Sequence, residues 1–256
     1  MKCRSAPFVC AVILALASLL LVGACGSSGK TATTPPSDAP DAVATEDVGT
    51  PDVSTSQPSP GDAQVVVDGA GFSVGDDQEV GFGLVLRNTS DTMDAIDVQV
   101  SVNLLSSSGA VVKTEDGSLN VIPAGGTFYY GGESFLDKGD KAKRLEAFVD
   151  VGSSEAAQYN LPEVTHVHVV NQDYIGVTVS GQVKNELESS LSCIATIGCV
   201  LFDGNGKVVG GGFAYLDADL KPGRTAAFEV LNGTTATPAS KVKRAEVSMD
   251  NEVVSE

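Results

Sequence analysis

The chain has 256 residues, with 16 Lys+Arg against 33 Asp+Glu and a formal net charge of −17. That balance excludes an extended nucleic-acid footprint, which needs clustered cations to displace phosphate counterions. Aromatics make up 5% with no Trp, and there are 2 His and 5 Cys, so base-stacking platforms and multi-metal or multi-disulfide scaffolds are excluded as well.

The N-terminus opens on Lys2 and Arg4, and an apolar run follows from Phe8 to Val22 with only Ser18 polar. A basic start, a short apolar stretch and small residues form a secretory signal. The run is shorter than the ~20 residues that a spanning helix needs. Gly23-Ala24 directly before Cys25 resembles the lipobox of bacterial lipoproteins. The resemblance implies diacylglyceryl attachment to the Cys25 thiol, a later palmitate-type acylation, and cleavage after residue 24. Partnership with the membrane then runs through the lipid on Cys25, on the extracytoplasmic face of the cell membrane. Val22-x-Ala24 also fits an ordinary secretory cleavage, which would release a soluble chain. Two acyl chains suffice for stable anchoring. Lys2 and Arg4 leave with the leader, so the mature body is more acidic still and is repelled by anionic lipid.

Residues 25–63 follow as the lipidated Cys and a linker. They hold 6 of the 11 prolines, with no aromatic side chain and much Ser, Thr, Asp and Ala. Such a composition cannot bury enough apolar surface to offset its ordering entropy, and it predicts a disordered stalk. As a flexible coil the stalk would span roughly 35 Å.

From residue 64 short Val-rich runs alternate with Gly, Asn and Asp turns, which predicts an all-β chain with little helix. The clearest strand is Ala95–Leu105. Ile96, Val98, Val100, Val102 and Leu104 fall on one face, with Asp97, Gln99, Ser101 and Asn103 on the other. The chain then repeats itself. Asn88, Leu104, Gly109, Val111 and Val112 recur at Asn185, Leu201, Gly206, Val208 and Val209. Gly125 and Thr127 recur at Gly223 and Thr225, and Lys141, Lys143, Arg144, Glu146 and Asp150 at Lys241, Lys243, Arg244, Glu246 and Asp250. The repeat predicts two tandem units, 64–151 and 163–256, joined by a polar stretch near 152–162. Their size and strand count fit immunoglobulin-like β-sandwiches. The second unit carries Gly181-Gln182-Val183-Lys184-Asn185, Val200-Leu201-Phe202-Asp203, Gly206-Lys207-Val208-Val209 and Leu220-Lys221-Pro222-Gly223. In these it resembles the FxLYD-type domains of bacterial envelope lipoproteins. The first unit matches more loosely, with Leu104-Leu105-Ser106 and Ala124-Gly125 at the corresponding places. The resemblance implies a small Ig-like sandwich outside the cytoplasm and transfers no catalytic residue.

Candidate chemistry is sparse. His166 and His168 are the candidate metal ligands, since strand alternation puts both imidazoles on one face, with Asp173 or Glu163 as a third ligand. The alternative is a wet strand face with Val167 and Val169 inside. Cys193 and Cys199 are either a disulfide or two small buried apolar side chains. Six residues of extended strand span about 20 Å, far beyond bridging distance, unless a bulge intervenes. Asp203-Gly204-Asn205-Gly206 is a hairpin signal, and as a calcium loop it is spoiled by Lys207 at the next alternate position. No nucleophile elbow or Ser-x-x-Lys pair stands in a credible setting. The chain therefore reads as a non-enzymatic, cofactor-free interaction protein of the bacterial cell envelope, binding an unspecified envelope protein or polymer and no nucleic acid. The alternative is an accessory lipoprotein with a ligand or metal site between its two domains. One further expectation concerns Ile194, Thr196, Gly198, Val200 and Phe202. They make an apolar outer face on the second unit, which something must cover.

Overall fold

The computed structural model describes residues 62–172 and 176–254, all of which belong to one compact unit of the chain. Among these residues there is no α-helix; regular structure is twelve strands and two short 3-10 turns, Thr234–Ala236 and Ala239–Lys241. The predicted signal peptide, Cys25 and the stalk to residue 61 lie outside the described residues.

The first repeat contains β1 (Val65–Val74), β2 (Glu79–Asn88), β3 (Met93–Leu105), β4 (Val111–Ile122), β5 (Thr127–Phe135) and β6 (Arg144–Ala156). The second contains β7 (Glu163–Gln172), β8 (Gly176–Lys184), β9 (Ile197–Phe202), β10 (Val208–Ala214), β11 (Thr225–Val230) and β12 (Arg244–Met249). In the first repeat β1-β2-β5 form one antiparallel sheet and β4-β3-β6 the other; in the second, β7-β8-β11 and β10-β9-β12 take the same places. Each repeat is therefore a sandwich with immunoglobulin-like connectivity, in which strands one, two and five oppose strands three, four and six. Each has its own core. Phe82, Leu84, Val98, Val102 and Phe128 fill the first. Val179, Ile197, Leu201, Phe228 and Met249 fill the second.

The duplicated residues sit at duplicated positions. Asn88 ends the second strand of the first repeat and Asn185 directly follows that of the second, 1% and 0% exposed. The Asn88 Nδ2 donates to the carbonyls of Met93 (2.8 Å) and Ile122 (3.0 Å). The Asn185 Nδ2 donates to those of Ser189 (2.9 Å) and Leu220 (2.7 Å). Each Oδ1 accepts the N–H two residues on, Ser90 or Leu187. One amide thus stitches three segments where the chain leaves one sheet for the other, with its donors and acceptor all paired in the buried junction. Gly109 and Gly206 repeat a left-handed turn, φ 87° and 79°, in the hairpins joining β3 to β4 and β9 to β10.

Three features differ from the sequence reading. β6 continues to Ala156, pairing with Met93, so the first sandwich runs past residue 151 and the junction shrinks to 157–162. That junction is pinned: the buried Asp94 carboxylate accepts the N–H groups of Ala124 (2.7 Å), Gln158 (2.7 Å) and Tyr159 (3.0 Å). In β3 the alternation holds from Val98 to Leu104, but Asp97 has φ 53°. On its far side Ala95, not Ile96, enters the core, since a left-handed residue breaks the pleat's regular alternation. In the second repeat the long strand is short. β9 starts at Ile197, leaving Cys193 and Ile194 in the preceding turn.

Removing one stitching amide should be costly. Asn185→Ala removes the side-chain donor of the Ser189 carbonyl and leaves the Leu220 carbonyl with the Leu191 N–H, and a loss of about 1–3 kcal/mol is expected in denaturant melts of the full chain. Asn88→Ala should cost a similar amount. A change within error for both would show that the repeated Asn is not structural.

Candidate functional site

The two sandwiches meet face to face, the β1-β2-β5 sheet of the first against the β10-β9-β12 sheet of the second. Stacked sheets ordinarily stand about 10 Å apart because side chains fill the gap. Here glycines remove them. A Cβ on Gly131 of β5 would lie 2.1 Å from the Gly212 carbonyl oxygen and 2.2 Å from that of Cys199. One on Gly211 of β10 would lie 2.4 Å from the Phe82 carbonyl oxygen. The backbones touch, and no other residue fits there. Around this centre Val200, Phe202 and Val208 are buried against Val85 and Tyr129. The Phe202 ring meets Tyr129 edge-on at 6.4 Å, and the Arg244 guanidinium lies 3.8 Å above its centroid. The expected apolar face is thus covered by the first repeat at Gly198, Val200 and Phe202. Ile194, at 62% exposure, is outside it because the strand begins three residues later.

Polar bonds seal the edges of the contact. The Ser73 hydroxyl donates to the Val209 carbonyl (2.6 Å), the Tyr129 N–H to the Ser248 hydroxyl (3.1 Å) and the Thr235 hydroxyl to the Glu79 carboxylate (2.8 Å). The Asp250 carboxylate crosses from the second repeat to accept the Asn120 N–H of β4 (3.0 Å), as well as that of Asn251 (2.9 Å). Asp250 is 4% exposed. Burial outweighs these bonds and pushes its carboxyl up to about 6.

Two of the hollows in the folded body gather aromatic and titratable side chains. One, of about 350 Å³, lies between the sandwiches. Phe82, Tyr130, Phe213 and Tyr215 line it, along with Glu115 and Glu133. Burial raises the Tyr130 hydroxyl to about 12, with Tyr215, Glu115 and Asp116 adding to the effect. Burial also raises the Glu133 carboxyl, with Glu79 and Glu115 nearby and a hydrogen bond from the Gly233 N–H opposing. The other hollow, of about 650 Å³, shares Tyr215 and is bordered by His166, His168, Asp217 and Glu229.

The two histidines stand as the alternation predicts, both exposed, with Val167 and Val169 packed inward against the core. His166 takes φ 54° at a register shift in β7, and its Nδ1 lies 3.0 Å from the Thr165 hydroxyl. Glu163 lies 3.9 Å from Lys184, and Asp173 is outside the described residues. Among the described residues no three or more His, Cys, Asp or Glu side chains converge to hold a metal ion. Cys199 is a free thiol, fully buried in β9, so it makes no bridge to Cys193. Burial first, and then Glu246, pushes its thiol up. In the Asp203 loop the carboxylate accepts the N–H groups of Asn205 (2.8 Å) and Lys207 (2.9 Å), which lowers its pKa. It caps the hairpin with the oxygen that a calcium ion would need.

No family model and no curated protein matches this chain. Among solved structures it is similar to red sea bream transglutaminase, at 10% identity and a TM-score of 0.24, over 75% of this chain and 29% of that one. The chain thus spans under a third of that structure. This match corrects one expectation: because the matched structure is an enzyme, the reading of this chain as non-enzymatic is withdrawn. At that TM-score the match carries no reaction over to these residues.

Asp250 gives the sandwich contact a pH dependence. Its folded-state pKa lies above its ordinary value, so its burial is least costly when protonated. Stability from this group is present below pH ~4 and lost as pH rises through about 6. Between pH 7.5 and 5 the full chain should gain about 1 kcal/mol from it. Denaturant melts of wild type and Asp250→Asn at both pH values isolate that share, since the general relief of anionic repulsion is common to both. Equal pH responses would show that Asp250 is not the titrating group.

Proposed function

We propose that this chain is a lipid-anchored protein of the extracytoplasmic face of a bacterial cell membrane, whose stalk carries a two-sandwich interaction body. One observation carries the reading: Cys25 follows a small pair at the end of a short apolar run with a basic start. A spanning helix would need a longer run, whereas two acyl chains suffice to hold a chain at a bilayer. Among the described residues no helix is long and apolar enough to cross a membrane. In this reading residues 26–61, rich in Pro, Ser, Thr and Asp, are the spacer between lipid and body. The body's own acidity opposes adsorption onto anionic lipid, which assigns retention to the lipid and recognition to the body.

A second reading, an accessory lipoprotein that takes a ligand between its two sandwiches, is supported by the aromatic and carboxylate-lined hollow at that place. The two readings are compatible, since anchoring and binding use different parts of the chain.

Cys25→Ala removes the acylation site. The expected outcome is that wild type partitions into the detergent phase of a cloud-point extraction and the variant into the aqueous phase. Continued detergent partitioning of Cys25→Ala would overturn the anchor.

A further inference from the structure

The hollow between the sandwiches combines two kinds of surface. Tyr130 and Phe82 form one wall, with ring centroids 6.4 Å apart, and Phe213 and Tyr215 the other, packed edge to face at 5.5 Å. Glu115, Asp116 and Glu133 lie among them, and no Lys or Arg is among the described residues that line it. Lys113 lies 3.5 Å from the Glu115 carboxylate, and the Ser134 hydroxyl donates to the same oxygen at 2.6 Å. Glu133 is partly buried beside the carboxylates of Glu79 and Glu115, with a hydrogen bond from the Gly233 N–H opposing them. The cavity is anionic, lined by aromatic side chains and small.

Charge decides the sign of its occupant, and the rings decide its kind. A hydrated metal ion needs converging oxygen ligands, and no such group of three is present among the described residues. A soft organic cation is instead attracted to aromatic faces and carboxylates together. The volume of about 350 Å³ suits a small molecule. The chain's own stalk is a poor occupant, since residues 26–61 carry one Lys against five Asp and Glu. We propose that this cleft, walled by Phe82, Tyr130, Phe213 and Tyr215 and lined by Glu115 and Glu133, binds small organic ammonium compounds. The glycine contact beneath it fixes the distance between the two aromatic pairs, because each pair belongs to a different sandwich. The site is carried by the folded body and does not depend on the Cys25 anchor.

The test is isothermal titration of the full chain in maltoside micelles, with choline as the cationic probe and 3,3-dimethylbutan-1-ol as its neutral analogue of the same shape. Saturable binding of choline and none of the alcohol is expected. Tyr215→Ala should weaken choline binding about tenfold, while Tyr215→Phe, which keeps the ring, should stay within about threefold of wild type. Glu133→Gln should weaken it about fivefold without loss of the fold. Tyr215 is half exposed, and a thermal melt of each variant checks that the sandwiches are intact. Absence of saturable choline binding up to about 50 mM, equal binding of the alcohol, or an unchanged affinity in Tyr215→Ala would each overturn the proposal. Cys25→Ala should bind choline as wild type does, so failure of the anchor and failure of the site are read separately.

Discussion

Direct contact between the backbones of two sheets governs this molecule. Gly81, Gly83 and Gly131 on one side and Gly198 and Gly211 on the other leave no side chains at the centre to separate β2 and β5 from β9 and β10. A methyl group at Gly131 or Gly211 would overlap a carbonyl oxygen. Contact at this range gains dispersion along the strands and excludes water from peptide groups already paired within their sheets. It also fixes the relative placement of the sandwiches far more tightly than interdigitated side chains would, because strand backbones have no rotamers to exchange.

Everything at the margin of the contact follows from that placement. Phe202 is held between Tyr129 and Arg244 only because the strands beneath it are close. The Asp250 carboxylate reaches the amide of Asn120 on the other repeat, at a cost in desolvation that shows as its raised pKa. Asp94 ties down the chain between the sandwiches through Gln158 and Tyr159, so the connection behaves as part of the body. The aromatic hollow is a product of the same geometry, since half of its rings belong to each repeat.

Much of each sandwich was legible in the sequence, because the signals were local and occurred twice. Asn88 and Asn185 recur for the amide stitch, Gly109 and Gly206 for the hairpin turn, and the Val98–Leu104 alternation marks a buried face. The pairing of the sandwiches was half legible. The apolar outer face around Val200 and Phe202 required a cover, and the first repeat supplies it. The glycines at the centre carry a visible pattern, the alternate pair Gly81 and Gly83 and the run from Gly210 to Gly212. Yet a strand glycine announces a bulge or a close approach without naming what approaches. Cys193 was misplaced because the strand equivalent to Ala95–Leu105 was given full length in the second repeat, whereas a turn occupies its first half. The cleft had no sequence signature, since Tyr130 and Tyr215 are brought together only by the inter-repeat contact.

If the glycine contact unites the two repeats, they must unfold together. Differential scanning calorimetry of the full chain measures this directly. The account predicts one transition whose calorimetric and van't Hoff enthalpies agree, because neither sandwich can lose its packed face without exposing that of the other. Two separable transitions would contradict it and would show the repeats to be independent domains that merely touch.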